Sequence, residues 1–282
     1  MSAKIIDGKA IAAYIKEQAA KGAAEVAQVI GRKPCLAVII VGENPASRVY
    51  VNNKKKACEL CGITSLEYAL PEETAQEELL ALIDRLNGDD AVDGVLCQLP
   101  LPKHIDEEKV IEAIDPDKDV DGFHPVNVGR MVTGVEGFLP CTPAGLIEML
   151  RYERISVEGK TCVVIGRSNI VGKPAALLMM RENATVTVCH SKTKNLKETV
   201  RQADIVVASV GKPHFLTADM VKPGAVVLDV GINRLPDKTL VGDAEFAEVA
   251  EVAGYITPVP GGVGPMTVAM LMKNTVEAAR RK

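Results

Sequence analysis

Short apolar runs alternate with amphipathic segments along most of this chain, and each run has the length of a buried strand. In the first half, apolar runs predict strands at 36–41 and 92–99, and a further strand is predicted at 64–70. Between them, apolar residues recur at helical spacing and predict helices at 46–61 and 75–86. Strands that alternate with helices are typical of an α/β domain with a parallel sheet.

The second half continues this alternation. A strand at 161–165 precedes a helix that extends through Met179. Further β-branched runs predict strands at 184–189, 205–210 and 225–230, with a short additional strand at 254–257. The sequence therefore predicts a doubly wound, Rossmann-like parallel sheet for this half.

A stretch rich in glycine and proline separates the two halves. Residues 115–142 show little periodicity, which is typical of a domain boundary, and ligand sites concentrate at such boundaries. We therefore expect two α/β domains with a cleft between them. The first is predicted to span 1–140 and to be completed by the C-terminal helix at about 265–282, and the second spans 141–264.

The turn after the strand at 161–165 has features of a phosphate site. Gly166, Ser168 and Gly172 punctuate the exit of this strand, and Pro174 suits the first turn of the helix that follows. A helix that begins just past a strand directs free N–H groups and a positive dipole end at a ligand above the sheet. The spacing G-x-S-x-x-x-G-x-P departs from G-x-G-x-x-G, so a β-α turn that binds nothing is an alternative.

The end of the next strand bears on the choice of cofactor. In a dinucleotide fold, an acidic residue at this position accepts a hydrogen bond from a ribose 2′-hydroxyl, whereas hydroxyl and cationic groups suit a 2′-phosphate. This chain has Ser191 and Lys192 there, and Arg167 in the phosphate turn. The pattern favours NADP over NAD, although three polar loop residues are also compatible with simple solvation.

Composition narrows the functional class. The chain has 282 residues, is 47% hydrophobic and carries a net charge of −4, so it is long enough for two cores and too balanced for a nucleic-acid binder. No apolar run approaches the roughly 20 residues of a membrane span, and the first residues lack a targeting pattern. Seven scattered cysteines favour reduced thiols. We therefore expect a cytosolic protein.

Metal binding is not expected. Cys58 and Cys61 form a lone C-x-x-C pair without a second pair or a nearby histidine, so buried thiols are the favoured interpretation. The segment 115–121 (DPDKDVD) is rich in carboxylates but lacks the glycine and glutamate spacing of a calcium loop. One of these acids could instead anchor a nitrogen heterocycle.

Two stretches of the first half carry candidate chemistry. Ser47, Tyr50 and Lys54 are spaced at i, i+3 and i+7, which places them on one helical face near the carboxyl end of the preceding strand. Gln98 interrupts an otherwise apolar strand end (VLCQLPLP). The alternatives are a solvated lysine run at 54–56 and a structural glutamine bonded to backbone.

Near the C-terminus, the segment TPVPGGVGPMT at 257–267 holds three glycines before an apolar helix. Glycines allow a backbone to approach a flat ligand closely, and a buried turn is the alternative.

Five stretches of the chain, taken as a set, identify a family. VGENPASRVYVNNK, GVLCQLPLP, PDKDVDGFHPVNVGR, VIGRSNIVGKP and ITPVPGGVGPMTVAM resemble, in this order and over nearly the whole chain, the bifunctional methylenetetrahydrofolate dehydrogenase/methenyltetrahydrofolate cyclohydrolase family. Phe123, His124 and Pro125 resemble its bacterial branch. The resemblance implies oxidation of 5,10-methylenetetrahydrofolate with NADP, followed by hydrolysis of 5,10-methenyltetrahydrofolate to 10-formyltetrahydrofolate.

The resemblance also implies roles for individual residues and a homodimeric assembly. Lys54 would be the acid/base group of the hydrolysis, Tyr50 and Gln98 would assist it, and Asp121 would hold the pterin ring. The implied NADP contacts are Gly166, Arg167, Ser168, Ser191 and Ile232. The implied folate contacts are Ser47, Tyr50, Lys54, Gln98, Leu99, Asp121, Pro260, Gly261, Gly262 and Gly264.

Two other functions are compatible with the general pattern. Another two-domain NADP dehydrogenase, such as a shikimate-type enzyme, would also use a lysine and an aspartate in a cleft. A catalytically silent binding protein of the same fold would be expected to lack the combination of Tyr50, Lys54, Gln98 and Asp121, and all four are present.

Overall fold

The structure is a computed structural model that describes residues 2–282, apart from the side chain at position 46. In chain order, the elements of the first half are β1 (Lys4–Ile5), α1 (Gly8–Ile30), β2 (Cys35–Val41), α2 (Pro45–Cys61), β3 (Thr64–Leu70), α3 (Gln76–Asn87), β4 (Gly94–Cys97), α4 (Glu107–Ala113) and α5 (Pro125–Thr133). Those of the second half are α6 (Cys141–Tyr152), β5 (Thr161–Ile165), α7 (Gly172–Arg181), β6 (Thr185–Cys189), α8 (Leu196–Val200), β7 (Ile205–Ala208), a 3₁₀ turn (Ala218–Met220), β8 (Val226–Asp229), β9 (Asn233–Arg234), β10 (Leu240–Val241), α9 (Phe246–Val252), β11 (Tyr255–Ile256) and α10 (Val263–Arg280).

The chain divides into two compact units, which we name by their sheets. The three-stranded unit comprises Ala13–Cys141 and Val268–Lys282. The six-stranded unit comprises Thr142–Thr267 together with residues 2–12. The predicted first domain includes residues 2–12, whereas in the structure these residues belong to the six-stranded unit, because β1 pairs in parallel with β11.

The three-stranded unit is organised around β2. Its sheet has the order β3-β2-β4, with both pairings parallel. All seven residues of β2 are buried, which explains its continuous apolar sequence CLAVIIV. Leu79, Ile83 and Leu86 of α3 are buried in the same core. This packing fixes the carboxyl end of β2, from which the chain leads into α2.

The six-stranded unit has the sheet order β1-β11-β8-β7-β5-β6, and every pairing in it is parallel. Its central strands are short and apolar, with Val163, Val206 and Val227 at most 1% exposed. The predicted Rossmann-like parallel sheet is confirmed. The loops that follow β5, β6, β7 and β8 all emerge at the carboxyl edge of the sheet, where open α/β sheets bind ligands.

Several strands are shorter in the structure than predicted, and β4 illustrates the reason. The sequence predicts a strand at 92–99, whereas β4 ends at Cys97. Pro100 and Pro102 follow closely, and proline has no N–H group to donate to a neighbouring strand.

Among the described residues, none of the helices combines the length and apolar character needed to cross a bilayer.

Candidate active site

Lys54 and Gln98 form a hydrogen-bonded pair in the three-stranded unit. The Lys54 side chain lies on α2 and the residue is only 6% exposed, whereas its neighbours Lys55 and Lys56 are exposed. Lys54 Nζ donates to Gln98 Oε1 at 2.9 Å. A solvated lysine run therefore describes the two neighbours but not Lys54 itself.

Gln98 is held at the end of β4 by backbone contacts. Its N–H donates to the carbonyl of Ile39 on β2 at 2.8 Å, and its Nε2 donates to the carbonyl of Leu99 at 2.7 Å. Both contacts leave Oε1 directed at Lys54, so the side-chain amide orients the amine without adding a charge. Leu99 also lines a small cavity together with Asp121.

The other two predicted residues of α2 lie one and two turns before Lys54. Ser47 is 4% exposed, and its N–H donates to Asn44 Oδ1 at 3.3 Å in the first turn of the helix. Tyr50 is 36% exposed, and partial burial raises the pKa of its phenol. A protonated phenol near Lys54 can donate a hydrogen bond to a ligand.

Asp121 lies on the loop that follows α4 and carries its carboxylate towards Lys54. Burial raises the pKa of the Asp121 carboxyl above its ordinary value, the positive charge of Lys54 opposes that rise, and the nearby Asp119 adds to it. A lysine, an amide and a carboxylate are therefore grouped at the carboxyl edge of this sheet. Such a set can hold a polar heterocycle and move protons at it.

Asp119 has a structural role that its place in the acidic segment 115–121 does not reveal in the sequence. It is 3% exposed, and its carboxylate accepts from the backbone N–H groups of Gly122 at 3.1 Å and His124 at 2.8 Å. Asn127 Nδ2 donates to the same carboxylate at 3.0 Å. The D-x-D-G spacing is the sequence signal for this turn, because the first aspartate fixes the backbone that presents Asp121.

The C-terminal helix supports the same loop. Asn274 on α10 donates through Nδ2 to the carbonyls of Val120 at 2.8 Å and Leu139 at 3.1 Å. The buried Cys141 thiol donates to the same Val120 carbonyl at 3.4 Å. Sequence patterns do not indicate the two contacts of Asn274, because each joins residues that are more than a hundred positions apart.

In the six-stranded unit, the phosphate turn is tight and depends on glycine. Gly166 has φ of +123°, and a Cβ there would lie 2.2 Å from the Ser209 carbonyl oxygen. A Cβ on Gly172 would lie 2.4 Å from the carbonyl oxygen of Gly166. Only glycine fits at either position, so the turn exposes backbone at the start of α7 to a ligand.

Ser168 caps this turn. Its Oγ accepts from the N–H groups of Val171 at 3.1 Å and Gly172 at 3.2 Å. The hydroxyl hydrogen stays available to donate outward, because both of these contacts use the oxygen as acceptor. Ser168 is exposed, so its hydrogen can reach a phosphate oxygen.

Arg167 and Ser191 are exposed on adjacent loops. Ile165 pairs with Cys189 at the ends of β5 and β6, and each of the two polar residues lies two positions further along its loop. The N–H of Gly166 donates to the carbonyl of Cys189 at 2.9 Å, which holds the two loops together. A guanidinium and a hydroxyl near one another suit a phosphate monoester.

The remaining predicted residues lie beside the start of α10. Ile232 is 46% exposed, and a Cβ on Gly264 would lie 3.4 Å from its Cδ1. Gly261 has φ of +105°, and a Cβ on Gly262 would lie 2.4 Å from the Pro258 carbonyl oxygen. Pro260 is exposed and Gly262 is buried, so this turn is partly a packed structural turn and partly open to a ligand.

No metal centre is indicated in the described part of the chain, where no group of three or more His, Cys, Asp or Glu side chains is arranged to hold an ion. All seven cysteines are free and buried. Burial raises the pKa of the Cys58 thiol to about 12, which makes its thiolate inaccessible near neutral pH.

Comparison with known proteins decides the family. Residues 6–121 match the model described as "Tetrahydrofolate dehydrogenase/cyclohydrolase, catalytic domain", and residues 140–282 match its "NAD(P)-binding domain". The chain belongs to the tetrahydrofolate dehydrogenase/cyclohydrolase family. The resemblance that the sequence motifs carry is confirmed.

Relatives of this family match over almost the full length. The chain is 61% identical to the "Bifunctional protein FolD" of Acetivibrio thermocellus over 280 residues, which cover 99% of this chain and 98% of that protein. It is also 61% identical to the protein of the same name from Agathobacter rectalis, with 99% of this chain and 100% of that protein covered.

Solved structures of the family have the same fold. The bifunctional enzyme FolD, a methylenetetrahydrofolate dehydrogenase/cyclohydrolase from Campylobacter jejuni, matches with a TM-score of 0.97 and 53% identity over 99% of both chains. The Trypanosoma brucei enzyme, complexed with NADP and an inhibitor, matches with a TM-score of 0.94 and 40% identity over 100% of this chain and 98% of that one.

The shikimate-type alternative shares only the general fold. Shikimate 5-dehydrogenase from Thermus thermophilus matches with a TM-score of 0.54 and 17% identity over 87% of this chain and 99% of that chain. The family members described above match this chain far more closely in both sequence and structure.

Proposed function

We propose that this chain oxidises 5,10-methylenetetrahydrofolate to 5,10-methenyltetrahydrofolate with NADP and then hydrolyses that product to 10-formyltetrahydrofolate, with Lys54 as the acid/base group of the hydrolysis. The observation that carries the proposal is the buried Lys54, hydrogen-bonded to Gln98 beside Asp121, in a chain of the tetrahydrofolate dehydrogenase/cyclohydrolase family. The three-stranded unit is the folate and catalytic domain in this proposal, and the six-stranded unit is the NADP-binding domain.

The oxidation makes modest chemical demands on the protein. The carbon that loses hydride lies between two nitrogens, and a nitrogen lone pair drives the hydride out and leaves a delocalised cation. No general base is needed, so the protein's task is to orient the folate carbon towards the hydride acceptor. NADP supplies that acceptor. Asp121 holds the pterin ring, and Ser47, Leu99 and the turn at 260–264 provide further folate contacts.

The hydrolysis does require proton transfers. Water adds to the cationic methenyl carbon and loses a proton, and opening of the ring requires a proton on the departing nitrogen. Lys54 can relay these protons because its amine is buried and oriented by Gln98 at 2.9 Å. Tyr50, one turn earlier on α2, assists as a hydrogen-bond donor to the substrate or the water.

The residues of the six-stranded unit fit NADP. Gly166 and Gly172 leave no room for side chains and open the backbone at the start of α7 to the pyrophosphate. Ser168 can donate its hydroxyl hydrogen there. In this proposal Arg167 and Ser191, which are exposed on adjacent loops, bind the 2′-phosphate, and Ile232 contacts the nicotinamide end.

A direct assay tests the proposal. The purified protein is mixed with 5,10-methylenetetrahydrofolate and either NADP or NAD, and the methenyl product and its decay are followed by absorbance. We expect reduction of NADP that depends on the folate, followed by hydrolysis faster than the uncatalysed rate. Reduction of NADP with shikimate but not with the folate would contradict the proposal.

The oligomeric state and the cellular location are also proposed. We infer a cytosolic homodimer, with support from the family resemblance for the dimer and from the composition for the cytosol. The molar mass in solution, measured by light scattering, tests the assembly, and a value of about 30 kDa, equal to that of one chain at 30.1 kDa, would refute it.

A further inference from the structure

Two buried aspartates connect the loops that follow the neighbouring strands β7 and β8. Asp229 is 2% exposed and Asp243 is 0% exposed. In the described part of the chain, the hydrogen bonds of both carboxylates come from N–H groups rather than from cations. We name this arrangement, Asp229 with Asp243, the aspartate clamp.

Asp243 binds the loop after β7 through three consecutive backbone groups. Its Oδ2 accepts from the N–H groups of Val210 at 2.6 Å and Gly211 at 2.9 Å. Its Oδ1 accepts from the N–H of Lys212 at 2.9 Å and from Asn233 Nδ2 at 2.9 Å. One carboxylate thus joins the loop after β7 to the residue at which β9 begins.

Asp229 holds Asp243 in place. Its Oδ1 accepts from the N–H groups of Gly231 at 3.0 Å and Asp243 at 2.9 Å, and its Oδ2 accepts from Ala244 at 2.9 Å. The N–H of Asp229 itself donates to Thr257 Oγ1 at 2.7 Å. The two carboxylates therefore form one continuous network across the carboxyl edge of the sheet.

Two glycines pack so closely against this network that there is no space for a side chain at either position. A Cβ on Gly231 would lie 2.3 Å from Asp243 Oδ1, and a Cβ on Gly242 would lie 1.8 Å from Asp229 Oδ2. Any side chain at either position would displace a carboxylate. Two glycines and two aspartates together therefore hold these loops in place.

The loops held by the clamp border the proposed cofactor site. The first begins with Ser209, whose carbonyl oxygen would lie 2.2 Å from a Cβ on Gly166 of the phosphate turn. The second contains the exposed Ile232, assigned above to the nicotinamide end. Because both aspartates are buried, they act on a cofactor only through the backbone that they hold.

We propose that Asp243, oriented by Asp229, is a positioning residue for NADP, because its carboxylate fixes the loop at 210–212 and the neighbouring Ile232 and Asn233 in the arrangement that receives the cofactor. The inference rests on the NADP-dependent activity proposed above. A loop that is ordered before binding costs less free energy to order on binding, so the clamp raises affinity for NADP rather than the rate of the chemical step.

Asp243→Asn tests this role at nearly constant side-chain volume. The amide keeps one acceptor oxygen and turns an NH₂ group against backbone N–H donors. We expect the KM for NADP to rise by at least about tenfold, while kcat at saturating NADP falls by less than about threefold, the pattern of lost binding rather than lost chemistry. The dissociation constant for NADP, measured without folate, should rise in parallel.

Asp204→Asn is the matched control. Asp204 also accepts a backbone N–H, from Thr161 at 3.0 Å, and pairs with Lys222 at 2.6 Å, but it lies at the amino end of β7. We expect its KM for NADP to stay within about twofold of the native value, since no cofactor loop depends on it. An equal rise in KM in this control would show general loosening of the unit and would overturn the proposal.

Asn233→Ala provides a second, milder variant. It removes one donor to Asp243 and one to the Gly242 carbonyl while leaving both buried carboxylates intact. We expect the KM for NADP to rise by about threefold or more. If Asp243→Asn fails to fold, as judged by circular dichroism, this variant decides alone.

The outcomes separate this inference from the proposed function. A folded Asp243→Asn protein whose KM for NADP stays within about twofold of native overturns the positioning role but leaves the activity standing. If the native protein does not reduce NADP with the folate substrate, the proposed function fails first and the inference falls with it.

Discussion

At the scale of single residues, Lys54 shows how burial separates side chains that are equivalent in the sequence. Lys54, Lys55 and Lys56 are adjacent, yet only Lys54 lies on the face of α2 that carries Ser47 and Val51. Helical spacing predicts which residues share that face. It does not predict what covers the face, because the partner of Lys54 is Gln98, which is supplied from 44 positions further along the chain.

Replacement of Asp121 tests the proposed folate contact. Asp121→Ala removes the carboxylate that we assign to the pterin ring, so folate binding should weaken by about tenfold or more while NADP binding persists. Equilibrium titration of each ligand measures this. Asp117→Ala is the matched control, because Asp117 lies in the same acidic segment but is exposed and paired with Arg130 at 3.0 Å. Loss of both ligands in Asp121→Ala would indicate unfolding instead.

Replacement of the predicted 2′-phosphate contacts tests the cofactor preference. In the double variant Arg167→Ala/Ser191→Ala, the preference for NADP over NAD should narrow by about 1–3 kcal/mol, because charge-assisted hydrogen bonds to the 2′-phosphate are lost. The ratio of kcat/KM for the two cofactors measures it. Arg181→Ala, an exposed cation at the far end of α7, should leave that ratio unchanged. Equal efficiencies with both cofactors in the native protein would contradict the assignment.

At the scale of elements, continuous apolar runs were the most reliable sequence signal. The predicted strand at 161–165 matches β5 to the residue, because buried parallel strands are apolar on both faces. The predicted strand at 64–70 also matches β3 to the residue, although no residue of β3 is buried and its sequence TSLEYAL mixes polar with apolar residues. By contrast, α1 was not predicted. Its buried stripe includes Ala12, Ala19 and Ala23, and alanine is common on both buried and exposed faces, so the periodicity is weak.

The edge strand β1 and the long-range contacts could not be predicted from local patterns. β1 has only two residues and pairs with β11, which lies at the other end of the six-stranded unit's sequence and within the predicted strand at 254–257. The candidate site divides in the same way. Spacing made Lys54 and the glycines of the phosphate turn candidates, and the family resemblance implied their roles. The support from Asn274 and the aspartate clamp depends instead on contacts between distant segments.

The last residue of β8 makes stability depend on pH. Burial raises the pKa of Asp229 to about 6, and the nearby Asp243 adds to the rise while backbone N–H groups oppose it. The folded chain therefore holds this proton more tightly than the unfolded chain, whose aspartates titrate near their ordinary value of about 3.9. The stabilising contribution of protonated Asp229 is present below pH 4 and is lost as the pH rises through 6.

Asp229→Asn tests this sign, because the variant cannot titrate. As the pH rises from 4 to 7, the free energy of unfolding of the native chain should fall relative to that of the variant, by up to about 3 kcal/mol. Urea denaturation at several pH values measures the difference, and other titrating groups largely cancel because both proteins contain them. Parallel pH profiles, or a difference of opposite sign, would refute the raised pKa.

At the scale of the whole molecule, each unit needs residues from a distant part of the chain. The three-stranded unit includes Val268–Lys282, and Asn274 in this segment supports the Asp121 loop. In the same segment, Cζ of Arg281 lies 4.3 Å from the centroid of the Phe138 ring. The six-stranded unit includes residues 2–12, which supply β1. A protein cut between the two family domains would therefore lose parts of both units.

The bifunctional character of the protein depends on one division of labour. We propose that hydride transfer needs only orientation of the folate and NADP, whereas hydrolysis also needs the amine of Lys54. A substitution that removes the amine should therefore separate two activities that share one substrate-binding site. Replacement of Lys54 is therefore expected to affect the hydrolysis far more than the hydride transfer.

Lys54→Met is the most direct test, because methionine keeps much of the side-chain volume and removes the amine. Cyclohydrolase activity should fall by about 100-fold or more, the usual scale for a general acid–base group, while dehydrogenase activity stays measurable and the methenyl intermediate accumulates. Lys55→Met, at the exposed neighbouring position, should leave both activities near native. Hydrolysis by a correctly folded Lys54→Met protein within a few-fold of the native rate would contradict the account and assign the proton transfers to another group.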